Sequence, residues 1–224
     1  MKTTLVSATL KEIAPTLHFL EREAEKTQAF SYNFKGLQIQ VLITGVGLVA
    51  TTYSLTKYLQ HQSPSLMVHL GLAGAFNPEL SLKEVVQVER DRFGDIGIED
   101  SDGKVATLFE TGFAPENETP FTRGLLINPQ AGNFLRRVEG LTNAKTTGSK
   151  YTLDLMKEKY PKAEVETMES AAFFYAALQE NVKFLSVRAI SNYVEERNKE
   201  KWEMAAAIEN LNKTSIEMLL TLSV

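Results

Sequence analysis

The chain has 224 residues, 43% hydrophobic and 23% charged, with a formal net charge of -4. That suffices for one sizeable core, here expected as a single domain over residues 1–224, and the mild acidity argues against nucleic acid or an anionic membrane surface as partner. There is no cysteine, so disulfides and thiolate metal sites are excluded; His18, His61 and His69 are too scattered to suggest a metal centre.

The opening "MKTTLVSATL" lacks the apolar segment of a secretory signal. Nothing approaches the roughly 18 apolar residues of a membrane span, so a cytoplasmic protein is expected.

"TLVSAT" reads as a first strand, and Ile13, Leu17, Leu20 and Ala24 then recur at helical spacing. "LQIQVLITGVG" is a strand running into glycines, followed by the helix "LVATTYSLTKYLQHQ". "SLMVHLGLAGAF" repeats that pattern, and "EVVQVERDRF" alternates apolar and polar residues. Residues 94–133 are rich in turn formers, with a strand near "GLLI". After "AKTTGS" come the helix "YTLDLMKEKY", the strand "AEVETM", the helix "ESAAFFYAALQEN", the strand "KFLSVRAIS" and a last helix from about Trp202 to Leu222. This alternation predicts an α/β fold, with a mostly parallel sheet covered on both faces. Ligands of such sheets gather beyond the carboxyl ends of the strands. Gly45, Gly47, Gly71, Gly74, Glu169 and Asn192 all fall at such ends.

All of these residues but one also have a purely structural explanation. The glycines fit tight turns as well as close backbone approach to a ligand, and they match neither the dinucleotide nor the P-loop pattern. Thr9-Leu10-Lys11-Glu12 fits a capping box, which gives Glu12 a role without chemistry. Asn192 fits a turn or a cap. Glu169 resists such an account, because a carboxylate entering the apolar run "SAAFFYAAL" is costly unless something binds it. The acidic cluster Asp91, Asp95, Glu99, Asp100 and Asp102 lacks the order of an EF-hand and reads as a solvated loop.

"TGVG", "GLAGAF", "VETMESAA" and "SVRAISNYV", in this order, resemble the nucleoside phosphorylase/nucleosidase superfamily. More narrowly they resemble its branch of methylthioadenosine/S-adenosylhomocysteine nucleosidases and futalosine hydrolases. The resemblance implies a three-layer α/β fold with a mixed central sheet, no cofactor, and a homodimer or larger homo-oligomer. It also implies cleavage of a purine N-glycosidic bond. By matching motifs, Glu12 activates water, Glu169 holds a ribose hydroxyl, and Met168 packs on the sugar. Tyr151 stacks on the purine, Thr152 offers backbone contacts, Gly74 borders the ligand, and Asn192 faces N7 of the leaving base.

Two departures bear on the substrate. His69 stands where phosphorylases of this family carry an arginine, which removes a bidentate partner for phosphate and favours water as nucleophile. And the chain reads "RAISN" where adenine-specific nucleosidases read "RAISD". Adenine offers a lone pair at N7 and a donor at N6, whereas a 6-oxopurine offers two acceptors on that edge. An amide can donate to both. A carboxylate would leave O6 unpaired, at a cost of about 1–3 kcal/mol. The expected reaction is hydrolysis of futalosine with release of hypoxanthine, in menaquinone biosynthesis. The alternatives are phosphorolysis of inosine or guanosine, with phosphate on Arg90 or Arg123, release of adenine, or nucleoside binding without catalysis. Arg197, or Lys201 near Trp202, is expected to receive the distal carboxylate of futalosine.

Overall fold

The computed structural model describes residues 1–223. In chain order the elements are β1 (Lys2–Ser7), α1 (Leu10–Glu23), β2 (Glu25–Gln28), β3 (Ser31–Phe34), β4 (Leu37–Ile43), α2 (Leu48–Leu59), β5 (Leu66–Ala75) and β6 (Val85–Asp91). They continue with β7 (Gly97–Glu99), β8 (Val105–Thr107), β9 (Leu126–Ile127), β10 (Arg136–Thr142), α3 (Lys150–Lys159) and β11 (Val165–Thr167). The chain ends on α4 (Ser170–Gln179), β12 (Phe184–Tyr193) and α5 (Met204–Leu222).

One sheet runs β11-β10-β6-β12-β5-β1-β4-β3-β2, and β11 also pairs antiparallel with β5. That second pairing curls five strands back on themselves and leaves the other four as an open wing. Parallel pairs link β1 to β4 and β5, β12 to β5, and β10 to β6 and β11. The other ladders, β12–β6 and the β2–β3–β4 meander among them, are antiparallel.

Helices cover both faces, because both faces of the central strands are apolar. Ile13, Leu17 and Leu20 of α1 pack with Ala207, Leu211 and Leu219 of α5 over Leu5, Ile39, Val41 and Val68. Leu55 of α2 and Phe173, Phe174 and Ala177 of α4 cover Val6, Met67, Val86 and Ile190 from the other side. This is the three-layer arrangement expected from the alternation of elements.

Two segments carried no readable period. The β2–β3 hairpin is short, β2 is wholly exposed and β3 buries only Tyr32 and Phe34, too few residues to show a period; Phe30, Lys35 and Gly36 make the turns before and after β3 at positive φ. β10 reads "RRVEGLT", with charges and a glycine in a strand whose second half is buried. A side chain at Gly140 would collide with the Asp91 carboxylate, so the glycine makes room for a buried acid.

Candidate active site

A cavity of about 380 Å³ opens where the carboxyl ends of β1, β5, β11 and β12 converge. Glu12, Gly74, Met168, Glu169, Asn192 and Arg197 line it.

Glu12 reaches the cavity from the first turn of α1. Its Oε2 accepts from the backbone N–H of Thr9 at 3.1 Å and from the Thr9 hydroxyl at 2.7 Å, while the Thr9 hydroxyl accepts from the Glu12 N–H. The capping box is therefore real, and it holds the carboxylate in place rather than competing with a site role. Oε1 turns the other way and accepts from Leu72 N–H on β5 at 3.3 Å. Asn212 of α5 steadies the same turn: its Nδ2 donates to the Glu12 carbonyl and its Oδ1 accepts from the Thr16 N–H and hydroxyl.

Glu169 stands at the N-cap position of α4, 8% exposed, and its Oε1 accepts from Gly47 N–H at 2.8 Å. Gly47 has φ 89, the left-handed region where glycine carries no penalty, so the "TGVG" turn aims an amide at this carboxylate. Burial pushes the Glu169 carboxyl above its ordinary range, while the Arg188 charge and the Gly47 bond pull it back.

Behind the two carboxylates lies Arg188, 1% exposed. It donates to the Ser170 hydroxyl from Nε at 3.0 Å and from Nη2 at 2.8 Å, and Nη2 also meets His69 Nδ1 at 2.6 Å. A side chain at Gly71 would strike the guanidinium and crowd Glu12 Oε1, so that glycine lets a cation and a carboxylate share one point on β5. A buried guanidinium survives only when paired. Here Glu169 and Glu12 supply the compensating charge, joined by Asp91 when it is ionised, against a burial penalty that lowers the Arg188 pKa. Burial, reinforced by the Arg188 charge, holds His69 well below its ordinary pKa, so it is neutral and stacks on Phe173. His69 is a core residue that receives the arginine.

Asn192 lies within β12 rather than in a turn or cap. The register of β12 against β5 shifts between Ile190 and Asn192, and this bulge re-aims the amide. Ser191 donates to Asn192 Oδ1 at 2.8 Å, which fixes the oxygen, and Nδ2 donates to the Tyr193 carbonyl at 3.0 Å. One amide hydrogen is left over. Gly74 sits opposite, where a Cβ would come within 2.9 Å of Val194 Cγ2 and 3.2 Å of Asn192 Nδ2. Its bareness keeps the amide accessible.

Tyr151 and Thr152 are not brought to the cavity. Tyr151 is 59% exposed and donates its hydroxyl to the Asp102 carbonyl, clamping the turn between β7 and β8 onto α3. The Thr152 N–H donates to Ser149 Oγ, the side-chain cap of α3, so that amide is already spent. Capping starts the helix at Lys150 and carries both residues away from the sheet edge. The cavity wall they were expected to form is made by Thr146 and Thr147 instead. Glu166 supports it: buried, it accepts from Thr147 N–H and hydroxyl and from Asn143 Nδ2. Burial raises the Glu166 pKa, and those bonds oppose the shift. The turn "TTGS" is visible in the sequence as the lead-in to α3, but without the strand before it nothing there marks Thr146 and Thr147, rather than Tyr151, as the wall.

At the far end of the cavity, Arg197 lies over Trp202, 5.6 Å from the ring centroid. Lys201 pairs with Glu195 at 2.9 Å. Arg197 and Lys11 are thus the cavity-lining cations with no carboxylate partner among the described residues.

The Phosphorylase superfamily matches residues 4–222. The futalosine hydrolase of Streptomyces coelicolor is 29% identical over 143 residues, which cover 64% of this chain and 60% of that protein, less than two thirds of its length. Among solved structures, the native futalosine hydrolase of Helicobacter pylori superposes with a TM-score of 0.78 at 16% identity, covering 98% of this chain and 97% of that one. The 5'-methylthioadenosine/S-adenosylhomocysteine nucleosidase of Neisseria meningitidis, solved with methylthio-immucillin-A, gives 0.78 at 16%, covering 97% and 98%. Those identities speak for the fold, and the family match for descent: the chain belongs to the phosphorylase superfamily.

Proposed function

We propose that the protein hydrolyses the N-glycosidic bond of a 6-oxopurine nucleoside, with futalosine as substrate and hypoxanthine as the released base, in menaquinone biosynthesis. The observation that carries this reading is the convergence of two carboxylates and one oriented amide on a single cavity.

Cleavage of such a bond places positive charge on the ribosyl ring and negative charge on the departing base. Glu169, held by the Gly47 N–H and kept toward its ionised form by that bond and the Arg188 charge, binds a ribose hydroxyl and favours the ring charge. Glu12, held from two sides, accepts a proton from water at the anomeric carbon. Asn192, its oxygen occupied by Ser191, presents N–H rather than a lone pair to the base edge. To donate to N7 and O6 together it releases the Tyr193 carbonyl. Arg197 and Lys11 receive an anionic group on the 5' side of the sugar, and replacing Arg197 with Ala raises KM for futalosine. An unchanged KM would remove Arg197 from the site.

Phosphorolysis is the second reading, and the arginines expected to hold its phosphate, Arg90 and Arg123, do not stand at the cavity. Arg188 is committed to His69 and Ser170. Arg90 pairs with Glu89 at 3.4 Å, and neither it nor Arg123 lines the cavity. A homo-oligomer fits the exposed apolar side chains of Val46, Val49 and Tyr53 beside the cavity mouth, and a purely monomeric species in sedimentation would refute it. The deciding experiment is base release from futalosine, aminodeoxyfutalosine, methylthioadenosine and inosine, with and without phosphate. Hypoxanthine from futalosine, indifferent to phosphate, supports the reading. Phosphate-dependent turnover of inosine or release of adenine overturns it.

A further inference from the structure

An amide cannot protonate a leaving base, so the proposed chemistry lacks a proton donor. The structure offers one on the other side of the cavity wall. Asp91, at the end of β6, is fully buried. Its Oδ1 accepts from Thr142 Oγ1 at 2.9 Å and from the Arg92 N–H at 2.7 Å; Oδ2 has no partner. Thr142 Oγ1 lies 2.9 Å from Thr167 Oγ1, and Thr167 lines the cavity. The amides that begin α4 close the chain from above: Ala171 N–H donates to Thr142 Oγ1, and Ser170 N–H donates to Thr167 Oγ1.

Each hydroxyl has one hydrogen, so the state of Asp91 sets the direction of the whole chain. When Asp91 is ionised, Thr142 donates to it, Thr167 donates to Thr142, and Thr167 shows the cavity a lone pair. When Asp91 is protonated, a hydrogen on Oδ2 would have no acceptor, whereas one on Oδ1 meets Thr142. Thr142 then donates to Thr167, and the hydrogen of Thr167 has no protein acceptor left. Of its surroundings, only the cavity that Thr167 lines can supply one.

We propose that Asp91, Thr142 and Thr167 form a proton relay that ends in the cavity and delivers a hydrogen to the departing nucleobase; this rests on the hydrolase reading given above. As the glycosidic bond breaks, its electron pair goes to the base. The Thr167 hydrogen moves to a base nitrogen, the Thr142 hydrogen to Thr167, and the Asp91 hydrogen to Thr142. The base leaves neutral, Asp91 is left as a carboxylate, and the proton that Glu12 takes from water goes to solvent, from which Asp91 is later recharged.

The charges facing Asp91 are Arg92, the residue just after β6, itself paired with Glu139 of β10 at 2.6 Å, and Arg188 on β12, which answers to Glu12 and Glu169. Burial outweighs these cations and the two hydrogen bonds, and lifts the Asp91 pKa to about 7. The acid is therefore charged with a proton below about pH 7 and empty above it.

The same hydroxyls also cap α4, so a structural role is the alternative, and the tests separate the two. Asp91→Asn keeps an acceptor for Thr142 but holds no transferable proton. Thr167→Val removes the last hydroxyl and Thr167→Ser restores it. The relay predicts that Asp91→Asn and Thr167→Val each lower kcat about 10²-fold with KM little changed. The alkaline limb near pH 7 disappears in Asp91→Asn, the double variant is no worse than either single one, and Thr167→Ser recovers most of the rate. Loss of melting temperature with an unaltered pH profile overturns the relay. Independently of turnover, the infrared carbonyl band of a protonated acid should titrate in the wild type and be missing from Asp91→Asn. No such band overturns the relay as well. If the band is present but no nucleoside is hydrolysed, the hydrolase reading fails, and with it the destination of the proton.

Discussion

The two parts of the sheet differ in what they bury. In the open wing, β1, β4, β3 and α1 meet through Leu5, Ile13, Leu20, Phe34, Ile39 and Val41, and the polar side chains buried with them, Thr3, Thr4, Ser7 and Thr16, are uncharged. In the curled part, β5, β12, β6, β10, β11 and α4 enclose Arg188, His69, Asp91, Thr142, Glu166, Thr167, Ser170 and Ser186 as well as their apolar core. Burying polar groups costs stability unless each is paired. The wing therefore stabilises the chain without burying charge, while the curled part spends stability to hold charge at fixed positions. The two meet at Glu12, whose backbone belongs to the wing and whose carboxylate bonds to β5.

That division is tested most severely at the junction. Glu12→Gln keeps a side chain able to complete the capping box but removes the base that accepts the proton of water. We expect kcat to fall by about 10²–10⁴-fold with little change in melting temperature. A variant within threefold of wild type would move water activation elsewhere.

A cut within the wing should do the opposite. Leu20 is fully buried between α1 and the sheet, remote from the cavity. Leu20→Ala should lose about 2–5 kcal/mol in denaturant unfolding, from lost burial and an incompletely closed cavity. Its kcat/KM, measured well below the transition, should stay near wild type. A large drop in kcat/KM would show that the wing does more than stabilise.

The curled part offers a finer probe. Asn192→Asp replaces the last donor on β12 with an acceptor beside Ser191, in a bulge that already aims it. Relative turnover of the adenine nucleoside over the 6-oxo nucleoside should rise, by about the 1–3 kcal/mol of one mispaired polar contact. No change in that ratio would mean that the base edge is read by other residues.

The sequence displays these two parts unequally, and the reason is physical. Elements that bury an apolar face announce themselves by period, so α1, β4, α2, β5, α4, β12 and α5 were legible. Motif residues at strand ends, Glu12, Gly74, Met168, Glu169, Asn192 and Arg197, were legible too, and the structure brings them to one cavity. β10 was not, because half of its inward face is polar: Glu139 pairs with Arg92, Gly140 yields to Asp91, and Thr142 bonds to Thr167. A strand built to bury polar groups loses the alternation that reveals strands. The turn behind it shows in the sequence as "AKTTGS", but with β10 hidden nothing ties Thr146 and Thr147 to a strand end, and the aromatic a few residues on draws the role instead.

That aromatic gives the smallest expected effect. Tyr151 is mostly exposed, and its hydroxyl is committed to a carbonyl of the β7–β8 turn. Tyr151→Ala, which removes the ring along with the hydroxyl, should leave KM and kcat unchanged for every nucleoside turned over. It removes a mostly exposed ring and one solvent-accessible hydrogen bond, so the stability loss should be about 1 kcal/mol. A tenfold rise in KM would require α3 to swing its first turn over the cavity in the bound state, and would restore the stacking role that the motif alone suggested. Absence of that rise leaves the wall of the cavity to Thr146, Thr147 and the buried Glu166 behind them.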